Sequence, residues 1–190
     1  MKALANLCYG LILVTLIPHL SGTARGADTK KSAYSTGQTA PAFEAKTVDS
    51  KAVKFPEDYK GKVVLLDFWA MWCGPCRAEL PNVVSAYEQF HSKGFDVLGI
   101  SLDQPQQGPK LLKFLKENKM NWPQVYDGKY WKAELAVKYG IHSIPRPILV
   151  DGDTGMILAE GPEARGPKLS TAVEKALSNK DSKEKKQASK

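Results

Sequence analysis

Cys73 and Cys76 stand three positions apart in the run Asp67–Pro81, DFWAMWCGPCRAELP. A cysteine pair at that spacing can ligate a metal, staple the chain or exchange electrons. A structural zinc site needs four ligands, and only His91 and His142 remain in the body as further soft donors, so no metal is expected. DGDTG, Asp151–Gly155, has the opening of a calcium loop, but its twelfth position is Pro162 rather than a glutamate. As a staple the pair closes too small a loop to remove much entropy from the unfolded chain. Thiol chemistry remains.

That chemistry depends on where the pair sits. VVLLDFWA, Val63–Ala70, is apolar on both faces, which predicts a central strand covered on both sides. A helix is expected from about Cys73 to about His91, with Pro75 tolerated in the first turn and a kink at Pro81. The first turn of a helix has unpaired N–H groups and roughly half a positive charge. A thiolate at Cys73 is therefore favoured. Free cysteine titrates at about 8.5, and one at a helix N-terminus can fall to about 7, a difference of roughly 2 kcal/mol. Cys73 is expected to be the exposed nucleophile, and Cys76, one turn inward, the buried resolving thiol. Gly74 and Pro75 put neither an acid nor a histidine between them, so the thiolate is stabilised only modestly and the pair should donate electrons.

The other elements follow from the same patterns. FDVLGISLD, Phe95–Asp103, reads as a second buried strand, and Leu111, Leu112 and Leu115 fall at helical spacing. Trp131–Gly140 reads as a short helix closed by glycine, Pro147–Glu160 as a hairpin, and Gly166-Pro167 as the opening of a last amphipathic helix. GQTAPAF, Gly37–Phe43, turns into a first extended segment. Strands alternating with helices, then a terminal hairpin and helix, predict an α/β domain with a mixed central β-sheet flanked by helices.

The 190 residues suffice for one domain with short appendages, and 43% hydrophobic with 25% charged residues fits a globular protein. The net charge of +7 is not a nucleic-acid signature. The leader carries two cations, the tail Asn179–Lys190 carries five lysines against two acids, and the body is left with only +2. Residues 1–26 have a lysine, an apolar run Leu11–Ile17 and small residues at Ala24 and Gly26, the pattern of a secretory signal. The uncharged stretch Ala3–Leu20 reaches 18 residues, so an uncleaved membrane anchor remains open. Cys8 precedes the apolar run and is badly placed for lipid attachment. Either way the body is expected outside the cytoplasm. Residues 27–36 read as a linker, 37–178 as the domain, and 179–190 as a disordered lysine-rich tail.

WCGPC, with Trp72, resembles the thioredoxin motif, and the wider frame resembles the TlpA/ResA-like branch of exported thiol-disulfide oxidoreductases. The matching pieces are GQTAPAF, YKGKVVLLDFWAMWCGPCRAELP, FDVLGISLD and YGIHSIPRPILVDGDTG, spanning about Gly37 to Ser178. The resemblance implies a thioredoxin-like fold, no cofactor, a redox disulfide between Cys73 and Cys76, and substrate contact through Trp72, Gly74, Pro75, Ile144, Pro145 and Arg146. Pro145 matches the cis-proline facing the cysteines, which would present the Ile144 backbone to an extended substrate chain. Asp67 matches the buried acid that takes a proton from Cys76, and Gly99 stands where thioredoxins place its lysine partner. Glu79 matches a glutamate position of the branch that tunes the thiols. Arg146, where many relatives have threonine, would add a fixed cation beside Cys73 and favour acidic substrates. The partners implied are disulfide-bonded proteins, apocytochrome c among them, and a membrane thiol reductase as electron donor. A thiol peroxidase is the first alternative, since APAF and IPRPILVDGDTG also resemble peroxiredoxins, but their threonine three residues before the cysteine is Ala70 here. A non-catalytic thioredoxin-like binding module is the second.

Overall fold

Seven consecutive residues with no exposed side chain, Val63–Trp69, form β3, the middle strand of a five-stranded sheet in this computed structural model, which describes residues 33–188. The strand order is β5-β4-β3-β6-β7, with β4 (Phe95–Ser101), β5 (Gln124–Tyr126), β6 (Arg146–Asp151) and β7 (Ile157–Glu160). β4 runs parallel to β3 and β5 parallel to β4, while β6 is antiparallel to β3 and β7 antiparallel to β6. The sheet is therefore mixed, and its fold is thioredoxin-like. A parallel neighbour needs a crossover, and α1 (Gly74–Phe90) and α2 (Gly108–Glu117) supply the two required between β3, β4 and β5. α1 continues unbroken through Pro81.

Alternation along β3 sends its side chains to two layers. Trp69 meets Phe114 of α2 at 5.6 Å between ring centroids, whereas Phe68 meets Tyr139 at 5.4 Å on the opposite face. Tyr139 ends α3 (Glu134–Lys138), and against it packs Phe43 of a separate hairpin, β1 (Phe43–Lys46) with β2 (Ala52–Phe55). Phe55, Phe68, Tyr139, Leu65 and Leu66 are fully enclosed. Burial of each such side chain is worth about 1.5–3 kcal/mol, which holds β3 rigidly under the segment that carries the cysteines.

Three expectations are revised. The short helix foreseen over Trp131–Gly140 is a single turn at Tyr130–Lys132 followed by α3, because Ala133 between them leaves the helical conformation (φ −52°, ψ 132°). The end of the expected linker packs on the body: Tyr34 lies 5.8 Å from the Tyr139 ring, and Ala33 lies against Gly140, where a Cβ would be 2.9 Å away. The tail does not leave the domain at Asn179, since α4 runs from Pro167 to Ala188. Lys180 explains why: its nine-tenths-buried side chain reaches the β6–β7 turn, pairing with Asp153 and lying 3.5 Å from the Asp151 carboxylate. Among the described residues no helix is long and apolar enough to cross a membrane. The expected leader falls outside the described residues.

Candidate active site

At the end of β3 the chain turns through Ala70, Met71 and Trp72 into α1, and the end of β4 holds that turn in place. Leu102 N–H donates to the Trp69 carbonyl at 2.8 Å, and the Trp72 indole N–H donates to the Leu102 carbonyl at 3.2 Å. Met71 N–H donates to both carboxylate oxygens of Asp103, at 3.1 and 3.2 Å, and the Ser101 hydroxyl donates to the same carboxylate at 2.8 Å. Burial raises the Asp103 pKa, and the hydrogen bonds from Ser101 and Met71 oppose that rise.

The turn delivers Cys73 to the N-cap of α1 in extended conformation (φ −83°, ψ 104°). Pro75 has no N–H to offer, and the Cys76 N–H donates to Cys73 Sγ at 3.1 Å. That sulfur therefore receives an orphan helical N–H, which is where negative charge is favoured. Cys73 and Cys76 are joined as a disulfide with Cα atoms 5.2 Å apart. Cys73 is less open than expected: it is 5% exposed against 2% for Cys76. Gly74 beside Cys73 is exposed, and nothing lies within 4 Å of the position a Cβ would take there.

Facing Cys73 is the Ile144–Pro145 peptide, which is cis, with the Ile144 carbonyl oxygen 3.8 Å from Cys73 Sγ. Among the described residues no backbone partner holds the Ile144 N–H or carbonyl in the sheet, so this edge is available to an incoming chain.

Asp67 lies on β3, the strand that leads to the pair, 6% exposed, with its carboxyl pushed up to about 7 by burial first and the Glu79 charge second, against an opposing pull from Arg165. Its register neighbours are Gly99 on β4 and Pro147 on β6, so neither strand offers it a cation. The space over Gly99 is occupied by Gln124, whose Oε1 accepts the Trp69 indole N–H at 2.9 Å and would lie 1.9 Å from a Cβ at Gly99.

The remaining candidates take partners of their own. Glu79 accepts from the Gly166 N–H at 2.8 Å and the Asn82 amide at 3.2 Å, tying α1 to the start of α4 and acting on Asp67 through its charge. The Arg146 guanidinium is paired with Glu160 on β7, both about a fifth exposed (20% and 19%). The cation foreseen beside the thiolate is thus neutralised across the β6–β7 ladder. Trp72, 44% exposed, stands in an aromatic group with Tyr130 at 5.2 Å and Trp131 at 5.9 Å.

Asp103, Arg165, Tyr130 and Trp131 were not foreseen as site residues. Only Asp103 left a signal, as an acid directly after a buried strand, at the carboxyl edge where open α/β sheets gather their functional groups.

The AhpC/TSA family profile matches residues 36–158. The chain is 32% identical over 143 residues to sporulation thiol-disulfide oxidoreductase A of Bacillus subtilis, covering 74% of this chain and 79% of that protein. It is 29% identical over 136 residues to thiol-disulfide oxidoreductase ResA of Bacillus thuringiensis subsp. konkukian, covering 72% and 75%. Among solved structures, the thioredoxin domain of a thiol-disulfide oxidoreductase from Bacteroides vulgatus superposes with a TM-score of 0.66 at 37% identity, covering 76% of this chain and 99% of that domain. A putative thiol:disulfide interchange protein DsbE from Chlorobium tepidum superposes at 0.63 with 30% identity, covering 75% and 97%.

Proposed function

The chain belongs to the AhpC/TSA family as a thiol-disulfide oxidoreductase, and we propose that it works outside the cytoplasm in the reducing direction, on disulfide-bonded proteins. One observation carries the reading: Cys73 caps α1, with its sulfur on the Cys76 N–H and opposite the open Ile144 carbonyl.

In the reduced protein the Cys73 thiolate attacks one sulfur of a substrate disulfide. A Cys73–substrate S–S bond forms, and the substrate's second sulfur leaves as a thiolate and takes up a proton. The Ile144 edge aligns the substrate backbone during this step. Cys76 then gives its proton to Asp67, whose raised pKa fits it to accept a proton near neutrality and pass it on. The Cys76 thiolate attacks Cys73 Sγ, and the substrate departs with both of its cysteines reduced. Two electrons have moved from Cys73 and Cys76 to the substrate, leaving the disulfide seen in the structure. A second thiol reductase must return the electrons. In an oxidising compartment a membrane reductase fits that need, with apocytochrome c as a suitable substrate and the amino-terminal segment as a tether or cleaved signal. The peroxidase alternative gains nothing here: Ala70, fully buried, has no hydroxyl to hold a peroxide.

The reading is tested by equilibrating the pair with glutathione and following insulin reduction. A midpoint near about −270 mV, as in thioredoxin, with insulin reduction lost in Cys73→Ser, is expected. A midpoint near about −120 mV, the value of a strong oxidant, would reverse the direction assigned.

A further inference from the structure

We propose that the cleft beside the cysteine pair, between Trp72 and Lys110, recognises substrate segments that carry an acidic side chain next to the reacting cysteine. The inference rests on the reductase reading above and adds a substrate class to it.

The cleft has a volume of about 500 Å³, and its walls include Trp72, Arg77, Asp103, Gln107, Lys110 and Tyr130. It lies next to the reaction centre, since two of its walls, Trp72 and Arg77, are the residues that flank the Cys73–Cys76 pair. A chain lying along Ile144 with its sulfur at Cys73 has its neighbouring side chains within reach of this opening.

The charges that a visitor would meet are of one sign. Arg77 and Lys110 are both exposed, and neither belongs to an ion pair among the described residues. Asp103 lies within electrostatic reach of Lys110, but it is 2% exposed and its oxygens are committed to Met71 N–H and the Ser101 hydroxyl. Of the other acids around the cysteines, Asp67 is buried, while the half-buried Glu79 and Glu160 are bound to Gly166 and Arg146. A cationic opening whose lining includes no exposed acid attracts an acidic side chain and raises its encounter rate.

The opposite wall is built for contact. Trp72 is 44% exposed, an unusual placement for so large an apolar side chain, and Tyr130 and Trp131 brace it at 5.2 and 5.9 Å. Tyr130 is held at φ 57°, in the left-handed region that an aromatic residue adopts at a cost and that gathers at binding sites. The backbone edge at Ile144 gives affinity without regard to sequence. The cleft supplies the discrimination that such main-chain recognition lacks.

The test uses two peptides, each with one internal disulfide and differing only in whether glutamates or lysines flank the cysteines. Hydroxyethyl disulfide is the third substrate. At low ionic strength the glutamate peptide is expected to have a kcat/KM roughly five- to tenfold above the lysine peptide, a size suited to two exposed ion pairs. The ratio should fall toward one in 0.5 M salt, within a Debye length of roughly 4 Å. It should fall below one in Arg77→Glu/Lys110→Glu, and to an intermediate value in Lys110→Gln, a single exposed change on α2 that leaves the fold intact if the double variant does not. A ratio of one in the unaltered protein, or a ratio that neither variant moves, overturns the proposal while leaving the reductase reading in place. Failure to reduce any of the three substrates overturns both.

Discussion

Replacing Cys76 with serine is expected to lower steady-state disulfide reduction by about 10³-fold or more and to leave the substrate covalently attached to Cys73. The first exchange needs only the Cys73 thiolate and the backbone N–H that caps it, neither of which the substitution touches. The second exchange needs a sulfur nucleophile one helical turn on, from a residue whose Cα lies 5.2 Å from that of Cys73. A serine hydroxyl in that place cannot displace a thiolate at neutral pH. Because Cys76 is 2% exposed, its replacement also leaves the recognition surface unchanged. Mass spectrometry of non-reduced mixtures with insulin should show a one-to-one adduct that dithiothreitol releases. Turnover close to that of the unaltered protein would mean that the substrate's own second thiol resolves the adduct, and Cys76 would lose its role.

Asp67→Asn is expected to act in two opposite ways. It removes the group that accepts the Cys76 proton, which should slow release of the mixed disulfide by about 10²-fold at pH 7. It should also abolish the inflection near pH 7 in the pH profile of that step. The same substitution should stabilise the fold above neutrality. The Asp67 carboxyl is raised in the folded protein to about 7, from an ordinary value of 3.8, so the folded state holds its proton over that interval and the unfolded state does not. Stability therefore falls as pH rises from about 4 to about 7 and levels off above, by about 4 kcal/mol in all. Asparagine removes this dependence. Urea unfolding should find the variant more stable at pH 8 by up to about that amount, and equal to the unaltered protein near pH 3.5. A variant with slower release but the same stability curve would place the raised titration on another group.

The parts of the fold that were legible are those with strong local patterns. The buried strands β3 and β4, the helix opening at the cysteines and the terminal hairpin follow from hydrophobic runs and turn residues that need no distant partner. β2 and β5 were not foreseen, being four and three residues long and depending on a neighbouring strand for their definition. The persistence of α4 past Ser178 depends on Lys180 meeting two aspartates some 27 to 29 residues earlier in the chain, and composition carries no trace of that meeting. The site divides in the same way. The cysteines, Asp67 and Pro145 stand in motifs, and the structure sets the Ile144–Pro145 peptide against Cys73, with Asp67 on the strand that leads to it. Arg146 was visible as a cation but its counterion, Glu160, was not; Glu79 was visible as an acid but not its bond to Gly166. Sequence shows a charge and withholds its partner. The aromatic group at Trp72 depends likewise on a backbone turn at Tyr130 that no spacing announces.

The central claim is that the first turn of α1 holds Cys73 as a thiolate near neutrality. Its most direct measurement is the rate of Cys73 alkylation by iodoacetamide in the reduced protein, followed from pH 5 to 10 with the modified residue identified by peptide mapping. Half-maximal reactivity near about pH 7, with Cys76 trailing far behind, is the result the helix-capped sulfur predicts. A midpoint at about 8.5 or above, the value of an ordinary thiol, or equal labelling of the two cysteines would contradict it.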